Sequence, residues 1–204
     1  MSARKVLLDC DPGHDDAIAI MLACASPEID LLAVTTVAGN VTLEHTTRNA
    51  LRVLDLIGRA DIPVAAGRDR PLIRDLSTAA VMHGESGLAG PLEIEPSRGP
   101  ADLTALQLIE QVLVMAVEPV TLVATGPLTN IADVITQLPE IHGRIREIVI
   151  MGGAVELGNW TPAAEFNIWV DPDAAKIVFE SGIPLTMIGL EVTHKAWLTN
   201  EHAD

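Results

Sequence analysis

Apolar runs of strand length alternate with helix-like segments from one end of the chain to the other. The run 29–37 reads as a buried strand, and the segment 42–57 that follows places its apolar residues on one helical face. Parallel strands need a crossover between them, usually a helix, so this alternation predicts a mainly parallel sheet with helices on both faces. The pattern therefore indicates an α/β fold of the Rossmann-like, doubly wound type.

The same pattern sets the expected order of elements. The predicted strands cover 6–8, 29–37, 63–66, 120–124, 146–151 and 184–189. The predicted helices cover 16–25, 42–57, 101–117 and 128–138, followed by one that Asp171 caps and Gly182 ends. Two stretches, 67–100 and 152–170, lack a clear period, which favours functional loops in a compact domain. We predict a single domain, 1–204, with its ligands beyond the carboxyl ends of the strands.

Four aspartates fall where the first predicted strand ends and a helix begins: Asp9, Asp11, Asp15 and Asp16. Because side chains alternate along a strand, Asp9 and Asp11 point to the same side of its carboxyl end. Carboxylates this close repel one another, and a divalent cation is the usual remedy. Oxygen ligands without histidine or cysteine at ligand spacing favour calcium or magnesium over zinc. Alternatively, Asp15 and Asp16 only cap the helix, which explains one aspartate better than four.

Two further polar groups follow other predicted strands. The carbonyl of Thr125 precedes a Gly-Pro turn, where it can face the aspartates as a calcium ligand. An ordinary turn with proline at the first helical position explains the same sequence. Asn40 follows Gly39 at the end of the second strand, either as a turn residue or as a polar group at the strand's carboxyl end.

The loop 152–170 contains two carboxamides and a carboxylate, from Asn159, Glu165 and Asn167. These groups donate to or accept from vicinal hydroxyls, so they form a candidate sugar-binding set. They are also common in ordinary solvated loops. His83 lies in the other loop, where a lone histidine is usually a surface residue.

Charge and cysteine content restrict the class of partner and the compartment. The net charge of −15 argues against nucleic-acid phosphate or an anionic membrane as the main partner and favours a small neutral substrate. Cys10 and Cys24 both fall in segments that read as buried, which favours a reducing compartment. The sequence has no signal-peptide pattern and no apolar run of the roughly 18 residues that a membrane helix needs, so we expect a cytoplasmic protein.

Six motifs carry a joint resemblance to one enzyme family. They are Asp9-Cys-Asp-Pro-Gly-His-Asp-Asp, Gly39-Asn40, His83-Gly-Glu-Ser-Gly-Leu, Thr125-Gly-Pro-Leu-Thr-Asn, Met151-Gly-Gly and Ala164-Glu-Phe-Asn-Ile-Trp-Val-Asp-Pro. In this order they resemble the inosine-uridine preferring nucleoside hydrolases, in register from about 6 to 195. The resemblance implies calcium-dependent hydrolysis of the N-glycosidic bond of ribonucleosides to ribose and free base, through an oxocarbenium-like transition state.

The resemblance also implies a role for each matched residue. Asp11, Asp16 and the Thr125 carbonyl would bind Ca²⁺, with Asp9 supporting them from behind. Asp15 would be the general base that takes the proton of a calcium-bound water. The residues that would hold the ribose hydroxyls are Asp15, Asn40, Met151, Asn159, Glu165 and Asn167. His83 would belong to a mobile loop that closes over the nucleobase, purine or pyrimidine.

The end of the chain departs from the family pattern. Family members are longer, and their final part supplies a His-Asp pair that completes the calcium shell and protonates a purine leaving group. Residues 199–204 read as a cap and one opening helical turn, so we expect a domain truncated at its carboxyl terminus. Apolar surface exposed at such an edge would favour a homo-oligomer.

Two other functions remain open at this point. One is a catalytically impaired fragment that binds nucleoside or ribose, or a regulatory subunit assembled with a longer relative. The other is a phosphatase of the haloacid dehalogenase type, with Asp9 and Asp11 as nucleophile and acid. The second is weaker, because that family expects Gly-Thr or a similar pair soon after the second aspartate, and Pro-Gly-His-Asp-Asp follows here.

Overall fold

Parallel strands form one twisted sheet at the centre of the computed structural model, which describes residues 3–88 and 94–196. The strands are β1 Arg4–Cys10, β2 Ile29–Thr36, β3 Val64–Ala66, β4 Val120–Ala124, β5 Ile145–Met151 and β6 Leu185–Ile188. Their order across the sheet is β3-β2-β1-β4-β5-β6, and every adjacent pair is parallel. This is the doubly wound order, so the predicted fold class is confirmed.

Helices connect the strands on both faces. They are α1 His14–Ala25, α2 Leu43–Leu56, α3 Ala80–His83, α4 Ala105–Met115, α5 Thr129–Gln137, α6 Phe166–Val170, α7 Pro172–Glu180 and α8 Leu190–Thr193, with a 3₁₀ helix at Pro139–Arg144. The short helices α3, α6 and α8 were not predicted, because four or five residues are too few to show a helical period. In the described ranges, none of the helices combines the length and the apolar character that crossing a bilayer requires.

Two predicted helix starts were wrong, and capping explains both. Helix α1 begins at His14 rather than at Asp16, because Gly13 is the N-cap and the Asp16 carboxylate accepts from its backbone N–H. Helix α4 begins four residues later than predicted, because Thr104 caps it in a reciprocal pair with Gln107. The Thr-x-x-Gln spacing was visible in the sequence and is a known start signal.

Alternate residues of the central strands build two separate cores. Leu7 faces α4, α5 and α7, in a cluster that contains Leu122. Leu8 faces α1 and α2 and packs in a second cluster with Ile20. Burying each leucine or isoleucine contributes about 1.5–3 kcal/mol, so the sheet is stabilised from both sides.

The functional edge of the sheet lies where β1 and β4 are neighbours. Strand order runs outward in opposite directions from this pair, which leaves a crevice beyond their carboxyl ends. Asp9 is in register with Ala124, and the backbone N–H of Thr125 donates to the Asp9 carbonyl at 2.9 Å. The ends of β1 and β4 therefore bring the aspartate run and Thr125 together.

Asp171 ties three elements to one another, in addition to its predicted role as N-cap of α7. Its carboxylate is fully buried and accepts from the backbone N–H of Ala174 at 3.0 Å. It also accepts from the backbone N–H of Leu72 at 2.9 Å and from the Thr129 hydroxyl at 2.7 Å. One side chain thus joins α7, α5 and the loop after β3.

We predict that Asp171→Ala lowers the free energy of unfolding by about 2–4 kcal/mol, because it removes a cap and leaves the buried Thr129 hydroxyl and the part-buried Leu72 N–H unpaired. Urea denaturation followed by circular dichroism measures this loss. Asp173→Ala is the matched control: it lies in the same helical turn and should cost only about 0.5 kcal/mol through the helix dipole. Equal losses in the two variants would contradict a special role for Asp171.

Candidate metal and substrate site

Asp9 lies at the end of β1, is fully buried, and is held from both sides. Its Oδ1 accepts from the Thr35 hydroxyl at 2.5 Å and from the Asn130 amide at 2.8 Å. Its Oδ2 is buried and has no hydrogen-bond partner among the described residues. Burial raises the pKa of Asp9 to about 7, although the two hydrogen bonds oppose the shift. The carboxylate of Asp9 is thus fixed by residues of two other elements, Thr35 of β2 and Asn130 of α5.

Asp11 is fully buried and presents one unpaired oxygen. Its Oδ2 accepts from the backbone N–H of Asn40 at 2.7 Å, and its backbone carbonyl accepts from the Asn40 side-chain amide at 3.0 Å. Its Oδ1 has no partner in the described part of the chain. Burial, and next the nearby charge of Asp16, raise the pKa of Asp11 well above its ordinary value. Asn40 is therefore more than a turn residue, because it fixes the orientation of Asp11.

Asp16 has two tasks, one for each carboxylate oxygen. Its Oδ2 accepts from the Gly13 backbone N–H at 3.3 Å, so the capping interpretation is correct for this oxygen. Its Oδ1 accepts from the Thr125 hydroxyl at 2.5 Å. Burial, followed by the charge of Asp15, raises the pKa of Asp16 to about 7. Asp15 itself is exposed to solvent, in contrast to its three buried neighbours.

The three buried carboxyl groups fit a hard cation. Within residues 3–88 and 94–196, no lysine or arginine forms an ion pair with any of them. Asp11, Asp16 and the Thr125 carbonyl present only oxygen atoms, which suit calcium or magnesium. In those same ranges, no three or more His, Cys, Asp or Glu side chains are grouped as a metal site. The candidate set of Asp11, Asp16 and the Thr125 carbonyl is thus smaller than such a group, with two carboxylates and a backbone oxygen.

Two glycines make room for the Asp11 carboxylate. A methyl group on Gly126 would lie 2.6 Å from Asp11 Oδ1, and one on Gly39 would clash with Oδ2. Neither glycine has a positive φ, so space rather than backbone conformation requires glycine here. The loops after β2 and β4 can therefore close on Asp11 from opposite sides.

A cavity of about 440 Å³ opens beyond these residues. Six of the seven predicted substrate residues line it, namely Asp15, Asn40, Met151, Asn159, Glu165 and Asn167. The side chain of His83 lies outside the described residues, although Met82 beside it lines the cavity. A larger groove of about 650 Å³ lies beside α2 and the segment 95–100, and none of the aspartates discussed above lines it. We assign the site to the smaller cavity because Asp15 lines it, and because Asp11 and Asp16 contact its lining residues Asn40 and Thr125.

Glu165 and Asn167 are buried parts of the cavity wall, so the solvated-loop interpretation was wrong for both. The Glu165 carboxylate accepts from three backbone N–H groups, those of Gly153, Asn167 and Ile168, at 2.9 to 3.1 Å. The Asn167 amide donates to the Thr125 carbonyl at 2.9 Å and to the Met151 carbonyl at 3.1 Å. These bonds fix the wall against the ends of β4 and β5.

Asn159 is exposed, and its side chain also organises this loop. Its Oδ1 accepts from the backbone N–H of Phe166 at 2.9 Å. The bond places Asn159 at the mouth of the cavity, next to the buried start of α6.

Sequence reasoning missed the apolar wall of the cavity. The additional lining residues are Ala79, Met82, Trp160 and Phe166. The rings of Trp160 and Phe166 meet edge to face with centroids 4.9 Å apart. Phe166 lies in the motif that begins at Ala164, and Trp160 follows Asn159. No sequence period indicates that the two rings face a cavity.

Asn130 is a second residue that was missed. It is 3% exposed, and its amide donates to Asp9 Oδ1 at 2.8 Å and to the Thr36 carbonyl at 3.0 Å. Its Oδ1 accepts from the backbone N–H of Arg68 at 2.9 Å. One side chain therefore links the ends of β1, β2 and β3. The available signal was its place at the end of the Thr-Gly-Pro-Leu-Thr-Asn motif.

Curated relatives share this sequence along almost its whole length. The chain is 59% identical over 199 residues to the pyrimidine-specific ribonucleoside hydrolase RihA of Photobacterium profundum, covering 98% of this chain and 64% of the relative. It is 60% identical over 202 residues to the RihA of Citrobacter koseri, covering 99% of this chain and 65% of the relative. The chain thus spans slightly less than two thirds of the length of these relatives.

Solved structures share the fold. A plant nucleoside hydrolase, the PpNRh1 enzyme, superposes with a TM-score of 0.91 at 40% identity, covering 97% of this chain and 63% of its own. The purine-preferring ribonucleoside hydrolase from Gardnerella vaginalis gives a TM-score of 0.90 at 38% identity. The match covers 97% of this chain and 64% of the Gardnerella chain.

The family model points to the same group of proteins. The model for inosine-uridine preferring nucleoside hydrolases matches residues 6–204, a range that includes the carboxylate cluster and all of the cavity. The chain belongs to the inosine-uridine preferring nucleoside hydrolase family.

Proposed function

We propose that the protein hydrolyses the N-glycosidic bond of ribonucleosides to ribose and free base, in a calcium-dependent reaction. The observation that carries the proposal is the cavity, where Asp15 and five further predicted sugar-binding residues share one wall. The buried carboxyl groups of Asp11 and Asp16 lie next to it, through the contacts that both make with cavity residues. A haloacid dehalogenase phosphatase has no support from the family match.

Asp11, Asp16 and the Thr125 carbonyl are the proposed ligands, and bound calcium would supply Lewis-acid activation of the attacking water. Asp9 would support this set from behind, since it is fully buried and its Oδ1 is held by Thr35 and Asn130. The unpaired Oδ1 of Asp11 supports the assignment, because a buried carboxylate oxygen without a partner is costly.

Asp15 is the proposed general base. It is exposed on the cavity wall, so its carboxylate can approach the attacking water and take its proton. Positive charge then develops on the ribose ring in an oxocarbenium-like transition state. Negative carboxylates along the same wall would stabilise that charge electrostatically.

The residues that line the cavity suit both parts of a nucleoside. Asn40, Asn159, Glu165 and Asn167 offer the amide and carboxylate groups that hold ribose hydroxyls, and Met151 would contact the sugar beside them. Trp160 and Phe166 offer aromatic surface on which a planar base can stack. His83 stays a predicted contact to the base.

Pyrimidine ribonucleosides are the proposed substrate class. The two RihA relatives are named as pyrimidine-specific and share 59% and 60% identity with this chain. The purine-preferring enzyme from Gardnerella vaginalis shares 38%. A single domain, a cytoplasmic location and a homo-oligomeric state remain predictions from the sequence alone.

We predict that purified protein with calcium releases ribose from uridine faster than from inosine, and that Asp15→Asn lowers kcat at least about a hundredfold. A reducing-sugar assay measures both. Asp102→Asn is the control, because this exposed aspartate does not line the cavity. Binding of ribose without any release of base from wild-type protein would favour the binding-protein alternative instead.

We predict that Gly126→Ala weakens calcium affinity about tenfold or more, because the added methyl displaces the Asp11 carboxylate. Isothermal titration calorimetry gives the Kd, and circular dichroism checks the fold. Gly143→Ala is the matched control, since a methyl there meets nothing within 4 Å. Unchanged affinity in Gly126→Ala would remove Asp11 from the ligand set.

We predict that the protein without cation loses stability as pH rises from about 4 to about 7. The pKa values of Asp9 and Asp16 are raised from 3.8 to about 7, so the folded state holds protons that the unfolded state has released in this window. The stability that these two protonated carboxyl groups contribute is therefore fully present below pH 3.8, and it is lost as the pH rises through about 7. Calcium should raise Tm more at pH 8 than at pH 5, because binding must displace those protons at low pH. Thermal melts at both pH values test this, and a pH-independent calcium effect would contradict it.

A further inference from the structure

One carboxamide joins the loop that carries Asp11 to the loop that follows His83. Asn49 lies on α2 and is fully buried. Its Nδ2 donates to the Pro12 carbonyl at 3.0 Å and to the Ser86 carbonyl at 2.8 Å. We call residues 11–13 the cation loop and residues 84–88 the motif loop, since the latter belongs to the His-Gly-Glu-Ser-Gly-Leu motif. Both N–H groups of one amide are therefore used on two different loops.

The motif loop packs closely against the Asn49 amide. Gly87 has φ +80°, and a methyl group on it would lie 2.9 Å from Val41 Cγ2, 3.0 Å from Asn49 Nδ2 and 3.2 Å from the Pro12 carbonyl. Leu88, the next residue, is buried in the core cluster beneath α1 and α2. The motif loop is thus fixed to the cation loop at one point and to the core at the next.

The unpaired oxygen of the Asn49 amide supports a linking role for this residue. Its Oδ1 is buried and has no partner among the described residues. A buried amide oxygen left unpaired costs free energy, and a leucine of similar volume would avoid that cost. The two carbonyl acceptors at Nδ2 are the compensation that the structure offers.

We propose that Asn49 is a positioning residue that couples the cation loop to the motif loop. A cation held by Asp11 and Asp16 would then also order the motif loop. This inference rests on the proposed function, because it takes the aspartates as the cation ligands and the motif loop as part of the substrate site. Coupling through Pro12 is direct, since Pro12 adjoins Asp11 and precedes the N-cap of α1. Loss of the amide should leave each loop folded and their coupling broken.

Hydrogen–deuterium exchange on full-length protein tests the coupling, with Asn49→Leu as the variant. Thr47→Val is the matched control, because Thr47 is a buried polar residue of the same helix whose hydroxyl contacts Thr36 and neither loop. Without cation, Asn49→Leu should exchange about tenfold faster than wild type in both loops, and Thr47→Val should match wild type there. With calcium, wild type should be protected in both loops and Asn49→Leu in the cation loop only.

Gly87→Ala crowds the Asn49 amide from the motif loop, strains the backbone at a positive φ and leaves α2 unchanged, so it gives a second measurement if Asn49→Leu does not fold. It should also lose calcium-dependent protection of the motif loop. Equal calcium protection of the motif loop in wild type and in the folded variants would overturn the proposal. A wild-type protein that bound no calcium would count against the proposed metal chemistry, and the cation-free comparison would still decide the role of Asn49.

Discussion

The structure depends on the burial of three like-charged groups at one edge of its sheet. Asp9, Asp11 and Asp16 are withdrawn from water, and burial is the largest cause of the raised pKa of each. Hydrogen-bond donors, rather than lysine or arginine side chains, stabilise these carboxyl groups. Hydroxyls, amides and backbone N–H groups lower the cost and leave two carboxylate oxygens unpaired. The same arrangement therefore limits the stability of the protein and supports the proposed cation site.

Most of the fold could be predicted because its signals are local. Each strand is a short apolar run whose neighbours in sequence are polar or helical, and β4 was predicted to the residue. Helix starts were less accurate, because the residue that begins α1 or α4 is decided by a single capping bond. The short helices depend on single caps and on contacts with other loops: the Glu165 carboxylate caps α6 and also accepts from the backbone N–H of Gly153.

The site was predicted unevenly, for a physical reason. Carboxylates and amides in motifs indicate their chemistry by residue type, so Asp11, Asn40 and Asn167 could be proposed as site residues from the sequence. Residues that act through distant partners could not be found that way. Asn130 reaches Asp9 across 121 positions of sequence, and Asn49 reaches Pro12 across 37. No local pattern shows which asparagine of a helix is turned inward to meet another loop.

The two glycines beside Asp11 determine which part of the site can adapt to the size of an ion. Asp11 is enclosed by backbone that follows β2 and β4, and strand spacing in a sheet is nearly invariant at about 4.8 Å. Asp16 instead projects from the first turn of a helix, which can tilt or slide against the sheet by small amounts. A change of ionic radius would therefore be absorbed by movement of α1 rather than by the sheet. With the proposed ligand set, selectivity among divalent ions would depend on how firmly α1 packs against the sheet.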